Sequence, residues 1–300
     1  YYSYSVASPN ISSSYPRITA FKTPPARATC MTVIAVLALP PREGLVLPEL
    51  PETSPLSSTA ATDLYAAMLA DTFRAVERSG ADLLINYPEA DQLPEAHRTD
   101  TDPVAELRAL VADSVDDTDA VRFEPQVGSS FSARAGNTAT HLLREEEAAS
   151  VAIVRGTAPL LSRTLIDEAA MKLRTNEAVL GPTTEGRTYY AGFTEPIDFS
   201  EAFTGIELQR LADRAADADL ETEFLPPSPI VETGDDLRTL VAQLRARVTA
   251  ERVVPERTAT FVTDHAQPVV DDAGPALGKT RKTLPGVTPH TEYAKATASN

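Results

Sequence analysis

Residues 181–192, Gly-Pro-Thr-Thr-Glu-Gly-Arg-Thr-Tyr-Tyr-Ala-Gly, hold the densest set of groups able to do chemistry in this chain. A carboxylate at Glu185, a guanidinium at Arg187 and two phenols at Tyr189 and Tyr190 stand close together, framed by Gly181, Gly186 and Gly192. Other chemistries have little footing. Cys30 is the only cysteine, so an intrachain disulfide or a thiolate metal cluster is ruled out. His97, His141, His265 and His290 are scattered without the spacing of a zinc site. No G-x-S-x-G elbow, G-x-x-x-x-G-K-S/T phosphate loop or G-x-G-x-x-G dinucleotide loop occurs.

The elements that would position these groups alternate between strand and helix. Val33 to Leu37 reads as a first strand, followed by a Pro-rich loop from Pro40 to about Pro55. Leu64, Tyr65, Met68, Leu69, Phe73 and Val76 recur at helical spacing, which predicts a helix over 58–79 that Gly80 stops. Further strands are expected at 83–85, 121–123, 150–154, 178–180, 189–193 and 221–225. Helices are expected at 103–113, 130–146, 160–173, 204–217 and 234–250, with one more over 255–265. Repeated βα units with short apolar strands imply an α/β fold: a mostly parallel sheet covered on both faces.

Residues 1–30 are Ser-, Tyr- and Pro-rich and lack a secretory pattern, and Met31 directly precedes the first strand. The expectation is a disordered leader or upstream translation over 1–30, one domain over 31–252, an appendage over 253–272 and a disordered tail over 273–300. The formal net charge of -16 argues against a nucleic-acid partner, because nothing offsets phosphate repulsion. An acidic, lysine-poor chain is what a salt-adapted, halophilic cytoplasmic protein requires, since salt screens its self-repulsion. No apolar run is long enough to cross a bilayer.

From Met31 to about Leu244 the chain resembles an incompletely characterised GT-A-like transferase family, related in fold to nucleotidyltransferases that activate molybdopterin or phospholactate. Residues 181–192 follow that family's G-P-x-x-D-G-G-Y-Y-x-x-G, with Glu185 at the acidic position and Arg187 at the second glycine. The family's basic loop P-x-x-G-x-V-K-T-R-L keeps Pro41, Gly44, Val46 and Leu50 but reads Leu47, Pro48 and Glu49 at its Lys, Thr and Arg positions. Q-x-G-x-D-L-G-x-R keeps Gln126, Gly128 and Arg134, with Ser130 and Ser132 replacing Asp and Gly. G-S-D-C-P becomes Arg155-Gly156-Thr157-Ala158-Pro159, so Thr157 stands where a metal-binding Asp is expected. D-V-D-T-x-x-D-L becomes Ile230 to Leu237, with Glu232 for one Asp and a helix cap formed by Thr233 and Asp236.

The resemblance implies a GT-A-like, Rossmann-related three-layer sandwich and a nucleotide or sugar-nucleotide donor. Phosphate would fall to Arg134, Arg155, Gly156 and Thr157, since a guanidinium engages phosphate in bidentate fashion. Glu185 and Glu232 would take the catalytic carboxylate roles, and Tyr189 and Tyr190 the acceptor pocket. Mg²⁺ or Mn²⁺ is the cofactor implied, although a neutral Thr157 replaces a ligand of a hard cation. The alternative is a non-catalytic descendant that keeps the fold and serves a protein partner, because the replacements remove the basic loop and the metal carboxylate together.

Overall fold

The computed structural model describes residues 32–271 and 274–279. Residues 1–31 and 280–300, with the expected leader and most of the expected tail, lie outside the described residues. Seven strands form one sheet: β1 (Thr32–Leu37), β2 (Asp82–Tyr87), β3 (Arg122–Pro125), β4 (Ser150–Arg155), β5 (Ala178–Pro182), β6 (Thr188–Phe193) and β7 (Thr222–Phe224), in the order β3-β2-β1-β4-β6-β5-β7. Every neighbouring pair is parallel except the two that involve β6. The turn of residues 183–187 explains that exception. It is too short for a crossover and closes with Thr183 N–H donating to the Arg187 carbonyl at 3.0 Å, which forces an antiparallel return.

The helices are α1 (Leu50–Thr53), α2 (Ser58–Glu77), α3 (Pro103–Ser114), α4 (Phe131–Arg144), α5 (Arg163–Lys172), α6 (Glu207–Asp217), α7 (Gly234–Thr249) and α8 (Glu256–His265). Strand alternation assigns them to two layers. Ile34, Val36, Leu83, Ile85, Ala152 and Val154 face one core with Leu64, Met68 and Phe73 of α2, Leu107 of α3, Ile166 of α5 and Leu240 of α7. Val33, Ala35, Leu84, Val151 and Ile153 face the other with Ala135 and Leu142 of α4 and Leu211 of α6. The result is the three-layer α/β sandwich that the strand–helix alternation implies.

The last helix is continuous with this core. Phe261 and Val262 of α8 join the cluster under α2, so the appendage shares the main domain's interior. Residues 266–271 (β8), within the expected appendage, and 274–279 (β9), within the expected tail, then pair as a separate antiparallel hairpin. Among the described residues no helix is long and apolar enough to cross a membrane.

Candidate functional site

In open α/β sheets ligands sit beyond the carboxyl ends of the strands, where the connections diverge to opposite faces. Here that place lies between β1 and β4, whose neighbours run away in opposite directions along the sheet. The same edge carries the ends of β4 and β5 and the start of β6, because Val154 pairs with Tyr190 and Pro182 with Thr188.

Arg155 ends β4 and meets two carboxylates. It forms an ion pair with Glu207 at the start of α6, and its Nη1 lies 3.5 Å from Glu232 Oε1. Its guanidinium also covers the Phe131 ring at 4.5 Å. The other oxygen of Glu207 accepts from the Thr188 backbone N–H at 3.0 Å and hydroxyl at 3.1 Å, which fixes this buried carboxylate from both sides. Arg187, in the turn before β6, reaches across to α7. Its Nη1 donates to Glu232 at 3.0 Å and its Nη2 to Asp236 at 2.8 Å, while Glu185 lies 3.7 Å away.

Asp236 is held further by the N-terminus of its own helix. Its carboxylate accepts from the Glu232 and Thr233 amides at 3.1 and 3.0 Å, and Thr233 caps the helix in return. Burial alone would raise the Asp236 pKa, but Arg187 and these hydrogen bonds hold it below the ordinary carboxylate value. The same partnership outweighs desolvation at Arg187 and holds its guanidinium pKa above the usual value.

The structure thus brings Arg155, Glu185 and Glu232 together, with Arg187, Glu207 and Asp236 completing the cluster. Arg134 does not join it. No hydrogen bond or ion pair links Arg134 to this cluster among the described residues; its buried Nε is unpartnered, and burial lowers its pKa. Three further expectations are corrected by packing. Gly156 is buried against Leu69 and Tyr65, so its backbone does not line an opening. Tyr189 and Tyr190 are each 1% exposed and belong to the apolar core, which removes them from an acceptor pocket. The Tyr189 hydroxyl donates to the Pro226 carbonyl at 2.9 Å. Thr157 lies at the edge, where its carbonyl accepts from the Val231 amide at 2.9 Å, but its hydroxyl is buried without a partner.

Sequence reasoning missed Tyr65. Its apolar spacing marks it as one more core position of α2, yet its hydroxyl accepts the Leu39 N–H at 3.0 Å, just beyond β1. A Cβ on Gly156, beyond β4, would lie 3.2 Å from the same oxygen. The ring therefore fills the crevice between the two strand ends, and burial pushes its pKa up to about 12. Arg42 was also missed. It is the only basic residue between β1 and α1, and it turns away into Glu106 and the carbonyls of His97 and Thr101. The loop itself docks on α7, where Thr53 Oγ1 accepts the Gly234 amide at 2.8 Å.

A divalent cation fits these residues poorly. Such an ion needs several free oxygen ligands, whereas Glu232 and Asp236 already face guanidiniums and Thr157 supplies only a neutral hydroxyl. Elsewhere, Glu124, His141 and Glu146 approach within 4.8 Å of one another, but Arg122 pairs with both carboxylates.

Residues 97–210 match the family model described as an uncharacterized protein conserved in bacteria (DUF2064). A candidate nucleotide-diphospho-sugar transferase from Desulfovibrio desulfuricans G20 superimposes with a TM-score of 0.61 at 22% identity, covering 77% of this chain and 94% of that one. The chain has a GT-A-like α/β fold. A 4-diphosphocytidyl-2C-methyl-D-erythritol synthase from Anaerococcus prevotii DSM 20548 aligns more loosely, with a TM-score of 0.43 at 14% identity over 72% of this chain and 96% of that one. No curated protein matches the chain. The family match spans the Gln126–Arg134 and Arg155–Thr157 segments, residues 181–192 and Glu207. It stops short of Glu232 and does not include the loop after β1.

Proposed function

We propose that this chain is a GT-A-like, transferase-related protein whose nucleotide-donor end is closed, and that it acts without turning over a metal-bound nucleotide sugar or nucleoside triphosphate. One observation carries this reading: the cluster at the carboxyl edge sets two guanidiniums, Arg155 and Arg187, against four carboxylates, Glu185, Glu207, Glu232 and Asp236. The excess negative charge repels a diphosphate, and the arginines that would clamp one are already engaged. Tyr65 in the crevice and Thr53 on the α7 N-terminus point the same way, since each takes an amide that a phosphate oxygen would otherwise use. On this reading the protein works by binding, with a protein partner as the natural candidate.

A second reading, an arginine-based site that needs no metal, has its own support. Arg155 Nε, Thr157 Oγ1 and Thr183 Oγ1 are buried without partners near this edge, as groups awaiting a ligand would be. Calorimetry of the full chain with a panel of nucleotides and nucleotide sugars, in molar salt and with or without Mn²⁺, separates the two. The closed reading expects no binding across the panel. Metal-independent binding abolished by Arg155→Ala would establish the second reading in its place.

A further inference from the structure

The cluster at the end of the sheet joins three elements: the end of β4 through Arg155, the turn before β6 through Arg187, and the head of α7 through Glu232 and Asp236. Four Arg187 contacts define the centre of this junction. Nη1 meets Glu232 Oε2 at 3.0 Å and Asp236 Oδ2 at 3.4 Å; Nη2 meets Asp236 Oδ1 at 2.8 Å and Thr184 Oγ1 at 3.1 Å. The guanidinium is surrounded by oxygens from two segments that backbone pairing does not join at this point. That is the role a bound metal ion plays when it staples loops together.

We propose that the Arg187 guanidinium is a built-in cation, holding α7 to the β5–β6 turn in the place of a divalent ion, so that the edge has no divalent-cation site of its own. The inference deepens the closed-edge reading and shares its site. It differs in concerning the cation alone, whatever becomes of a nucleotide. Three features support it. The Arg187 and Asp236 side chains are 14% and 6% exposed, so the pair is shielded from the salt that weakens surface pairs. The planar fork of an arginine matches a carboxylate with two parallel bonds, as Nη1 and Nη2 do at Asp236. The remaining oxygens of the junction are also spoken for: Glu232 Oε1 faces Arg155, and the second Asp236 oxygen accepts the two amides at the head of α7.

The test uses Mn²⁺ as the probe and reads free ion by electron paramagnetic resonance, with melting temperature as a second readout. Wild-type protein should leave Mn²⁺ free and melt at the same temperature with or without it. Arg187→Ala releases Glu232 and Asp236, so it should melt lower and gain Mn²⁺ affinity by about tenfold or more, with the ion restoring part of the lost melting temperature. Arg187→Lys, which keeps the charge, should not gain that affinity. Stoichiometric Mn²⁺ binding by the wild type that is lost in Glu232→Gln would overturn the inference, even if Arg187→Ala fails to fold. So would a folded Arg187→Ala protein with no added affinity. Either result leaves the nucleotide question to the calorimetric panel, and metal-independent nucleotide binding would sink the closed-edge reading while leaving this inference intact.

Discussion

Asp71 on α2 caps a helix that begins far along the chain. Its Oδ2 accepts the Thr258 amide at 2.8 Å and hydroxyl at 2.7 Å, and its Oδ1 accepts the Arg257 amide at 3.2 Å, so α8 starts on a carboxylate lent by another element. Thr258 is fully buried at this contact. Burial nevertheless pushes the Asp71 pKa up against the pull of those bonds, which marks a charge kept inside for its geometry.

Asp71→Ala should therefore cost about 1–2 kcal/mol, the usual range for a lost cap. The effect should be local. Hydrogen exchange of amides 256–265 should accelerate while β1 and β4 keep their protection. Uniform acceleration across the sheet would show that α8 unfolds only with the whole domain.

Tyr65 makes the second prediction. Tyr65→Phe keeps the ring in the crevice and leaves the Leu39 N–H without its acceptor, a buried loss of about 1–3 kcal/mol. Denaturant melts should register it with an unchanged slope, as befits a loss of stability without a change of fold. An unaffected midpoint would mean that water reaches Leu39, and that the crevice is less closed than the packing implies.

Arg155→Ala should be the most damaging change at the edge. It strips Glu207 of its only cationic partner among the described residues while the carboxylate stays buried, and breaking a buried pair from one side costs about 3–5 kcal/mol. Glu207→Gln in the same background should recover part of that loss, because the stranded charge disappears. The double-mutant cycle in thermal melts measures the coupling; additive losses would show that Arg155 acts through its contacts with Phe131 and Glu232 and not through Glu207.

The sequence made the architecture legible for physical reasons that particular residues illustrate. Leu64 to Val76 announce α2 because a helix buries one stripe, and Val33 to Leu37 announce a strand covered on both faces because every position is apolar. The site was half legible. Arg155 and Glu232 do meet, and Arg187 links Glu185 to them, but the residues that complete the cluster, Arg187, Glu207 and Asp236, come from a turn and two helix starts whose approach depends on tertiary packing. Tyr65 was hidden by its own pattern, since helical spacing says which face is buried and not where a hydroxyl ends up. Tyr189 and Tyr190 misled for the opposite reason: phenols beside glycines look like a pocket, whereas here the glycines make room for the rings.

That last relation gives Gly181 and Gly192 a role in packing. A Cβ at Gly181 would lie 2.6 Å from Tyr189 Cζ, and one at Gly192 would lie 2.8 Å from Tyr190 Cε1. Gly181→Ala should destabilise by about 1–3 kcal/mol through overpacking, and Tyr189→Leu in the same chain should relieve part of it. Thermal melts of the two variants decide the matter; a Gly181→Ala protein as stable as the wild type would return that glycine to a role at the site.

The final prediction concerns acid. The Asp236 pKa is held below its unfolded value, so the stability it contributes is complete above the ordinary carboxylate range and is lost as pH falls through the depressed folded value. The melting temperature should therefore decline from about pH 4 downward as proton uptake by the unfolded chain takes hold. Asp236→Asn should start lower, having lost its pairing with Arg187, and should fall less steeply over the same interval because the linked proton is gone. The comparison rests on slopes, which a merely weakened cap would leave unchanged. Parallel slopes would therefore move the acid sensitivity to another carboxylate and would detach Asp236 from the electrostatic closure of the edge.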